Sequence, residues 1–411
     1  MPGKLRVGFI GAGFVAKFHA RAFTMVRNAT ITAVCSRTIE SARSLASYIE
    51  NLGFQKPKFY TDIYAFLSDK ELDAVWVLVP NNLRVEVTKA IVEEVTQGKS
   101  NIKAVAVEKP LARNVKEAKE MINLIEKAGL LHGYLENQVF MPSVTRGKEI
   151  IWNLGAKYSG RPYLARAAEE HSGPHNAWFW KPSISGGGVL LDMGCHSIEA
   201  SRYLLTNPNL DKSSLKPRYV YGEIGFLKWI KRNYVEDLRK RFNVDFEKEP
   251  AEDYSLVIVT YEDEEGHLVI TEARTSWSYV GAGLRLTFEV LGPEYSIAIN
   301  TLQPELFTFM SRNIKIPPSE LFVEKQNADQ GLMPVIPDET ITYGYQAEDI
   351  YMVDSFLNNK LPSENWYDGL LIVQLMMHGY LSAETGKRIS FDPKQVEDYI
   401  PPVARKAYSI E

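Results

Sequence analysis

The sequence predicts two domains of different fold class. Residues 1–142 read as an α/β domain built on a parallel sheet. Residues 143–411 read as an α+β domain with a large, mostly antiparallel sheet covered by helices on one face. Three observations carry this. The first 140 or so residues alternate short apolar runs with helical patterns, and strand–helix alternation demands a parallel sheet covered on both faces. After Pro142 strand-like runs follow one another directly, with the turn signals "EDEEG" and "GPE" between successive pairs. A length of 411 residues also favours more than one domain.

The elements follow in order. Strands are expected at 5–10, 30–35, 59–60, 73–79, 104–107 and 131–134, interleaved with helical patterns at 14–27, 39–52, 63–68, 85–97 and 115–128. In the second half a helix runs from Pro142 to about Asn153. Strands follow at 163–170, 218–224, 254–261, 267–277, 284–291 and 295–300, with covering helices near 189–205, 346–358 and 367–384. The proline-rich stretch 302–340 reads as irregular chain wrapping the surface. Residues 226–242, "FLKWIKRNYVEDLRKRF", carry an apolar stripe at 227, 230, 234 and 238 and read as a solvated basic helix packed on the sheet or on another subunit.

Composition narrows the function classes. A net charge of −4 argues against nucleic acid or an anionic membrane as partner. The apolar runs are far shorter than the ~20 residues that span a bilayer. The first apolar run is broken by glycines, so no secretory leader is expected. Two cysteines, Cys35 and Cys195, suit a reducing cytoplasm.

The glycines of "KLRVGFIGAGFVAKFHARAF", Lys4–Phe23, point to chemistry. "GAGFVA" is GxGxxA between a strand and a helix. Gly11 permits the tight turn, Gly13 lets the backbone approach a pyrophosphate, and Ala16 allows close helix–strand packing. Gly11, Gly13, Phe14 and Val15 are therefore expected to contact a nicotinamide dinucleotide. The next strand ends "AVCSRT". Ser36 and Arg37 stand where an NAD site usually has an acid, and guanidinium and hydroxyl groups suit a 2′-phosphate. The expected cofactor is NADP or NAD, with NADP favoured.

"VEKPLA" ends the fifth strand, and "GGGVLLDMGCHSIE" lies further on. With GxGxxA and the closing "GKRISFD", these motifs resemble the glucose-fructose oxidoreductase / inositol dehydrogenase / MocA family over nearly the whole chain. The resemblance implies a Rossmann domain, an antiparallel substrate-binding and oligomerisation domain, a homodimer or homotetramer, and NAD(P)-linked oxidation of sugars or cyclitols. It implies that Lys109, Asp192 and His196 form the active site, and that Pro80, Asn81, Glu108 and Lys109 lie by the cofactor. Members usually carry His where this chain has Arg84.

The chemistry stands beside the resemblance. Oxidising a secondary alcohol needs a base for the hydroxyl proton, and His196 titrates near neutrality. Asp192 precedes it by four residues, one helical step, and can orient the imidazole. Lys109 can stabilise developing alkoxide charge. Pro110 biases Lys109 toward an extended conformation at a strand end, where ligands bind in such sheets. Gly186–Gly188 let the chain pass close to a ligand. Glu136, with Asn137, can contact nicotinamide or substrate, or form a buried structural pair. In "EEHSGPHNAWFW" the trio Glu170, His171 and His175 lacks a convincing further ligand, and no metal is expected. His171, Trp178 and Trp180 are expected to contact the sugar. Two rivals share the architecture: an NAD-dependent glycosidase that oxidises transiently, and a non-catalytic sugar or dinucleotide sensor.

Overall fold

The computed structural model describes residues 3–314 and 320–405. The chain forms two compact units. One comprises residues up to 141 together with 343–373, and the other comprises 142–342 together with 374 onward.

In the first unit β1 (Leu5–Ile10), β2 (Ala29–Cys35), β3 (Lys58–Tyr60), β4 (Ala74–Val77), β5 (Ala104–Glu108) and β6 (Leu131–Leu135) make one sheet. Their order is β3-β2-β1-β4-β5-β6, and every pair is parallel. β4 and β5 are buried at every residue, as strands covered on both faces must be. The crossovers are α1 (Phe14–Ala22), α2 (Ile39–Asn51), α3 (Ile63–Leu67), α4 (Arg84–Thr96) and α5 (Val115–Lys127). Thr38, Asp62 and Asn114 cap α2, α3 and α5 by accepting backbone amides. α1 is shorter than its sequence pattern suggests, giving way to a 3₁₀ turn at Phe23–Met25. The strand order reverses between β1 and β4, so a crevice opens beyond their C-terminal ends.

A boundary at 142 puts everything after it in the second domain. Residues 343–373 instead return to the first unit. The cause is packing: Met352, Val353 and Phe356 of helix Tyr345–Leu357 complete the apolar cover of the parallel sheet. Phe356 meets Trp76 edge-on at 5.8 Å.

In the second unit β7 (Leu164–Glu170), β8 (Lys216–Gly225), β9 (Tyr254–Glu262), β10 (Leu268–Ser276), β11 (Arg285–Leu291), β12 (Ser296–Asn300) and the short β15 (Ile389–Ser390) form a seven-stranded sheet. Its order is β12-β11-β7-β10-β9-β8-β15. All pairs are antiparallel except β7–β10. Burial alternates along β9, β10 and β11, with Val257, Val259, Leu286, Phe288 and Val290 turned inward. The other face carries Arg166, paired with Glu272 at 3.1 Å and Glu289 at 2.8 Å.

Two expectations need correction. The stretch 302–340 is not wholly irregular: β13 (Leu306–Met310) and β14 (Gly331–Val335) pair antiparallel, with Phe307 opposite Pro334. A proline is tolerated there because a two-stranded ribbon leaves half its amides outside the ladder. Residues 315–319 of that stretch lie outside the described residues. The basic segment is helical only over Arg232–Phe242. Before it, the Asp253 carboxylate accepts the amides of Leu227, Lys228 and Trp229 at 2.7, 2.8 and 3.0 Å, holding a non-helical turn. Leu227 and Ile230 are exposed, and Trp229, Val235 and Leu238 are buried.

Candidate active site

The nucleotide half grows from the end of β1. Gly11 has φ +115°, and its amide donates to the Cys35 carbonyl at 2.8 Å. A Cβ there would lie 2.3 Å from the Leu78 carbonyl oxygen, so neither the conformation nor the space admits another residue. Gly13 is the N-cap of α1, and a Cβ on it would meet nothing within 4 Å. The helix start thus faces open space that the chain itself does not fill, as anion binding requires. Ala16 is fully buried, Val15 is half-buried and Phe14 is exposed. The residues present fit a dinucleotide.

At the end of β2, Ser36 Oγ lies 2.7 Å from Ser41 Oγ, which is 2.9 Å from Thr38 Oγ1. This hydroxyl cluster sits at the start of α2. Arg37 beside it is exposed, and among the described residues it has no ion-pair partner. Cys35 is buried, and burial, then Asp62, pushes its thiol up to about 11, so it is no nucleophile. Pro80 caps the 3₁₀ turn Asn81–Leu83, with Asn81 buried.

β5 ends at Glu108, and Lys109 follows it, joined to Pro110 by a cis bond. Glu108 is buried: its Oε1 lies 3.0 Å from His19 Nε2. His19 Nδ1 lies 2.9 Å from Asp349 Oδ2, and the Trp76 indole donates to Asp349 Oδ1 at 2.9 Å. Burial opposes charge on His19, yet Asp349 and Glu108 outweigh it and hold the imidazole well above the usual histidine range. Burial likewise opposes charge on Glu108, and the His19 hydrogen bond overcomes it, so this carboxyl lies below its ordinary value. Glu348, also fully buried, is pushed well above its ordinary value by burial. The Glu108 carboxylate is engaged by His19, and Lys109 follows it at the strand end.

Arg84 opens α4. Its guanidinium is buried and donates to the Glu108 carbonyl, to the Lys109 carbonyl at 3.1 Å and to the Val79 carbonyl at 3.3 Å. Glu136 is fully buried and accepts the Gln138 amide at 3.4 Å, and the Asn137 side chain donates to the Tyr343 carbonyl at 2.7 Å.

The second unit carries Asp192 and His196. Asp192 lies in a π-helical turn, Leu190–Gly194, that runs into the α-helix Cys195–Leu205 bearing His196. The step from Asp192 to His196 therefore joins a π turn to an α-helix instead of following one α-helical face. Both residues are buried, and the Trp277 indole donates to Asp192 Oδ2 at 3.3 Å. Upstream, Glu252 Oε1 accepts the amides of Gly188 and Leu190 at 2.9 and 3.2 Å and the Tyr380 hydroxyl at 2.5 Å. A Cβ on Gly188 would lie 2.4 Å from the Glu252 carbonyl oxygen. The close approach that glycine allows here is to Glu252, where the sequence had suggested a ligand. Burial raises the Glu252 carboxyl to about 7 against the pull of Tyr380 and the amides.

The "EEHSGPHNAWFW" residues scatter. His171 is buried, its Nδ1 accepting the Gly173 amide at 2.9 Å. His175 pairs with Glu320 at 3.0 Å, and Glu170 with Arg274 and Arg285 at 3.3 and 3.2 Å. Trp178 is half-buried and stacked on Phe179 at 3.7 Å. Trp180 is wholly buried among Trp229, Trp277 and Phe246, its indole donating to the Pro174 carbonyl at 3.3 Å. It builds the core, and a sugar platform needs an open ring face, so that expectation does not fit Trp180. His19, Asp349 and Glu252 were not singled out from sequence. The one local hint was a histidine on the first turns after a glycine-rich loop.

No helix among the described residues is long and apolar enough to cross a membrane. Residues 5–134 match the model of an oxidoreductase family with an NAD-binding Rossmann fold, and residues 154–298 match the GFO/IDH/MocA C-terminal domain. Levoglucosan dehydrogenase of Pseudarthrobacter phenanthrenivorans is 29% identical over 216 residues, covering 49% of this chain and 51% of that protein. D-glucoside 3-dehydrogenase of Escherichia coli is 30% identical over 207 residues, covering 50% and 55%. The chain spans about half the length of these curated relatives. Among solved structures, GenD2 from gentamicin A biosynthesis, in complex with NAD, superposes with a TM-score of 0.76 at 22% identity over 95% of this chain and 97% of that one. Levoglucosan dehydrogenase in complex with NADH does so at 0.68 and 21%, over 95% and 99%. With both of its domains matched in order, the chain belongs to the GFO/IDH/MocA family of oxidoreductases.

Proposed function

We propose that the protein is an NAD(P)-dependent dehydrogenase of a sugar, sugar derivative or cyclitol, working in the cytoplasm as a homo-oligomer. The observation that carries the reading is the turn at Gly11–Ala16, with a positive φ at Gly11 and unfilled space at Gly13. The kinds of substrate named for the relatives supply the class: levoglucosan, glucosides and inositol. Bound at this turn, the nicotinamide supplies the hydride acceptor. Lys109 hydrogen-bonds the reacting oxygen and stabilises the charge that develops there. His196 takes the hydroxyl proton on a ring nitrogen, and Asp192, steadied by Trp277, orients it. NADP preference rests on exposed Arg37 beside the Ser36–Ser41–Thr38 hydroxyls.

The test incubates the protein with a panel of pyranoses, anhydrosugars and inositols, each with NAD and with NADP, and follows nicotinamide absorbance. Reduction with at least one substrate is expected. His196→Ala should cut that turnover by ~10²–10⁴-fold while cofactor binding persists. A His196→Ala variant with wild-type turnover refutes the assignment. Cleavage of a nitrophenyl glycoside without change in nicotinamide absorbance would select transient-redox hydrolysis instead.

A further inference from the structure

We propose that Arg84 is a positioning residue for Lys109, acting through the peptide groups on either side of it; the catalytic part of this rests on the role given to Lys109 above. The carbonyl of Glu108 belongs to the peptide plane before the Lys109 Cα, and the carbonyl of Lys109 belongs to the plane after it. Arg84 donates to both, through Nη1 and Nη2. Two anchored planes fix both soft dihedrals of the residue between them, and so the direction in which its side chain leaves the backbone. The third donor, Nε, reaches the Val79 carbonyl at 3.3 Å, just before the Pro80–Asn81 turn. One buried guanidinium therefore ties together the chain leaving β4 and the chain leaving β5.

The residue type matters. These carbonyls lie at or past the ends of their strands, where no neighbouring strand need supply an amide, and buried carbonyls require donors. A planar guanidinium presents five N–H groups in a fixed fork. An imidazole offers two donors pointing apart, and an ammonium is a compact charge on a flexible stem. Only the fork spans two successive carbonyls and still reaches a third. Arg84 opens α4 and is 3% exposed, so its head cannot wander into solvent. Its charge is also felt at the site: against burial, and with His19 and Lys109, it helps lower the Glu108 carboxyl. Glu108 is then held by its side chain to His19 and by its carbonyl to Arg84, and Lys109 follows directly.

The experiment uses Arg84→Lys, with Arg84→Gln read the same way should the first not fold. The apoprotein is reductively methylated with ¹³C-formaldehyde, and the Lys109 dimethylamine signal is identified by its loss in Lys109→Arg. In the wild type this signal should stand apart from those of exposed lysines; in the Arg84 variants it should collapse toward them. With cofactor and a turned-over sugar, kcat should fall about 10–100-fold, the scale of a misplaced reactive group, while sugar KM and cofactor Kd stay within about twofold. In a Lys109→Ala background the Arg84 substitution should cost no further turnover, because an effect exerted through Lys109 vanishes with it. An unchanged Lys109 signal, or an equal further loss in the Lys109→Ala background, overturns the proposal. If the wild type oxidises no sugar or cyclitol, the functional reading fails on its own, and the Lys109 signal alone decides whether Arg84 positions this residue.

Discussion

Glu252 gives a sharp test of how the second unit holds the segment that carries Asp192. Its carboxyl is fully buried and raised from 4.5 to about 7, burial outweighing the Tyr380 hydroxyl and the backbone donors. A carboxyl raised on folding binds its proton more tightly in the native state. Its ionisation therefore removes stability as pH rises from 4.5, and the loss is complete above about 7. At 1.36 kcal/mol per pH unit, the whole interval amounts to about 3 kcal/mol, of which roughly 2.5 falls between pH 5 and 8. Gln at this position keeps an oxygen for the Gly188 and Leu190 amides and the Tyr380 hydroxyl, and it cannot ionise. The wild-type stability curve is not diagnostic by itself, because His132 runs the opposite way over nearly the same range. The difference between Glu252→Gln and wild type isolates the group. Urea unfolding of both proteins at half-unit steps from pH 5 to 8 should show the variant gaining about 2–3 kcal/mol relative to wild type. A difference that stays flat within about 0.5 kcal/mol would show that Glu252 does not titrate as its burial requires, and the reasoning would fail.

Gly13→Val should abolish dinucleotide binding by calorimetry while leaving the fold intact, since the added carbons enter space that no protein atom occupies; retained affinity would place the cofactor elsewhere. Arg37→Ala should weaken NADP by about 1.5–3 kcal/mol, the scale of a hydrogen bond to a charged group, and barely change NAD; a wild type that prefers NAD in side-by-side titration refutes the reading of this loop. His132 is buried, its Nδ1 accepting the Trp366 amide at 3.1 Å, and burial lowers it from 6.5 to about 4 against the pull of Glu126 and Asp368. Its neutral form is the folded one, so it removes stability as pH falls from 6.5 toward 4, by about 3 kcal/mol in all. His132→Asn, which keeps an acceptor for Trp366, should flatten that acid limb in thermal melts, and an unchanged limb would assign it to other groups.

What could be read from sequence was local. The glycine turn, the EKP run and the Asp-Met-Gly-Cys-His run announce themselves over a few residues, because close backbone approach and strand-end placement leave compositional marks. Their supports leave none. Asp349 meets His19 across 330 positions, and nothing near either residue signals the other. Arg84 stands out in the sequence only as a departure from a pattern; its partners are carbonyls, which every residue possesses. Trp178 and Trp180 are two positions apart and look equivalent, yet one is half-buried and the other wholly buried. The π turn at Leu190–Gly194 has the composition of an ordinary apolar helix start. The return of residues 343–373 to the first unit depends on which sheet face still lacks cover, and that is a property of the assembled fold.

Lys109 in the first unit and Asp192 in the second are each held by a buried group, and the two groups are of opposite sign. Lys109 follows a strand end, where carbonyls lose their partners, and a buried cation supplies the donors there through Arg84. Asp192 lies near a helix start, where amides lose theirs, and a buried carboxyl group supplies the acceptors through Glu252. Each group carries the polarity that its end of the secondary structure lacks. The arrangement costs free energy at Glu252, which is held near neutrality instead of being freely ionised. A carboxamide could accept the same amides without that cost, as the Glu252→Gln comparison would measure. No such economy is open to Arg84, because a neutral Gln offers one donor group where three carbonyls converge from two strand ends. The asymmetry has a consequence. Glu252→Gln should keep its helix start in place and change mainly the pH dependence of stability, whereas Arg84→Gln should release the Lys109 segment at every pH.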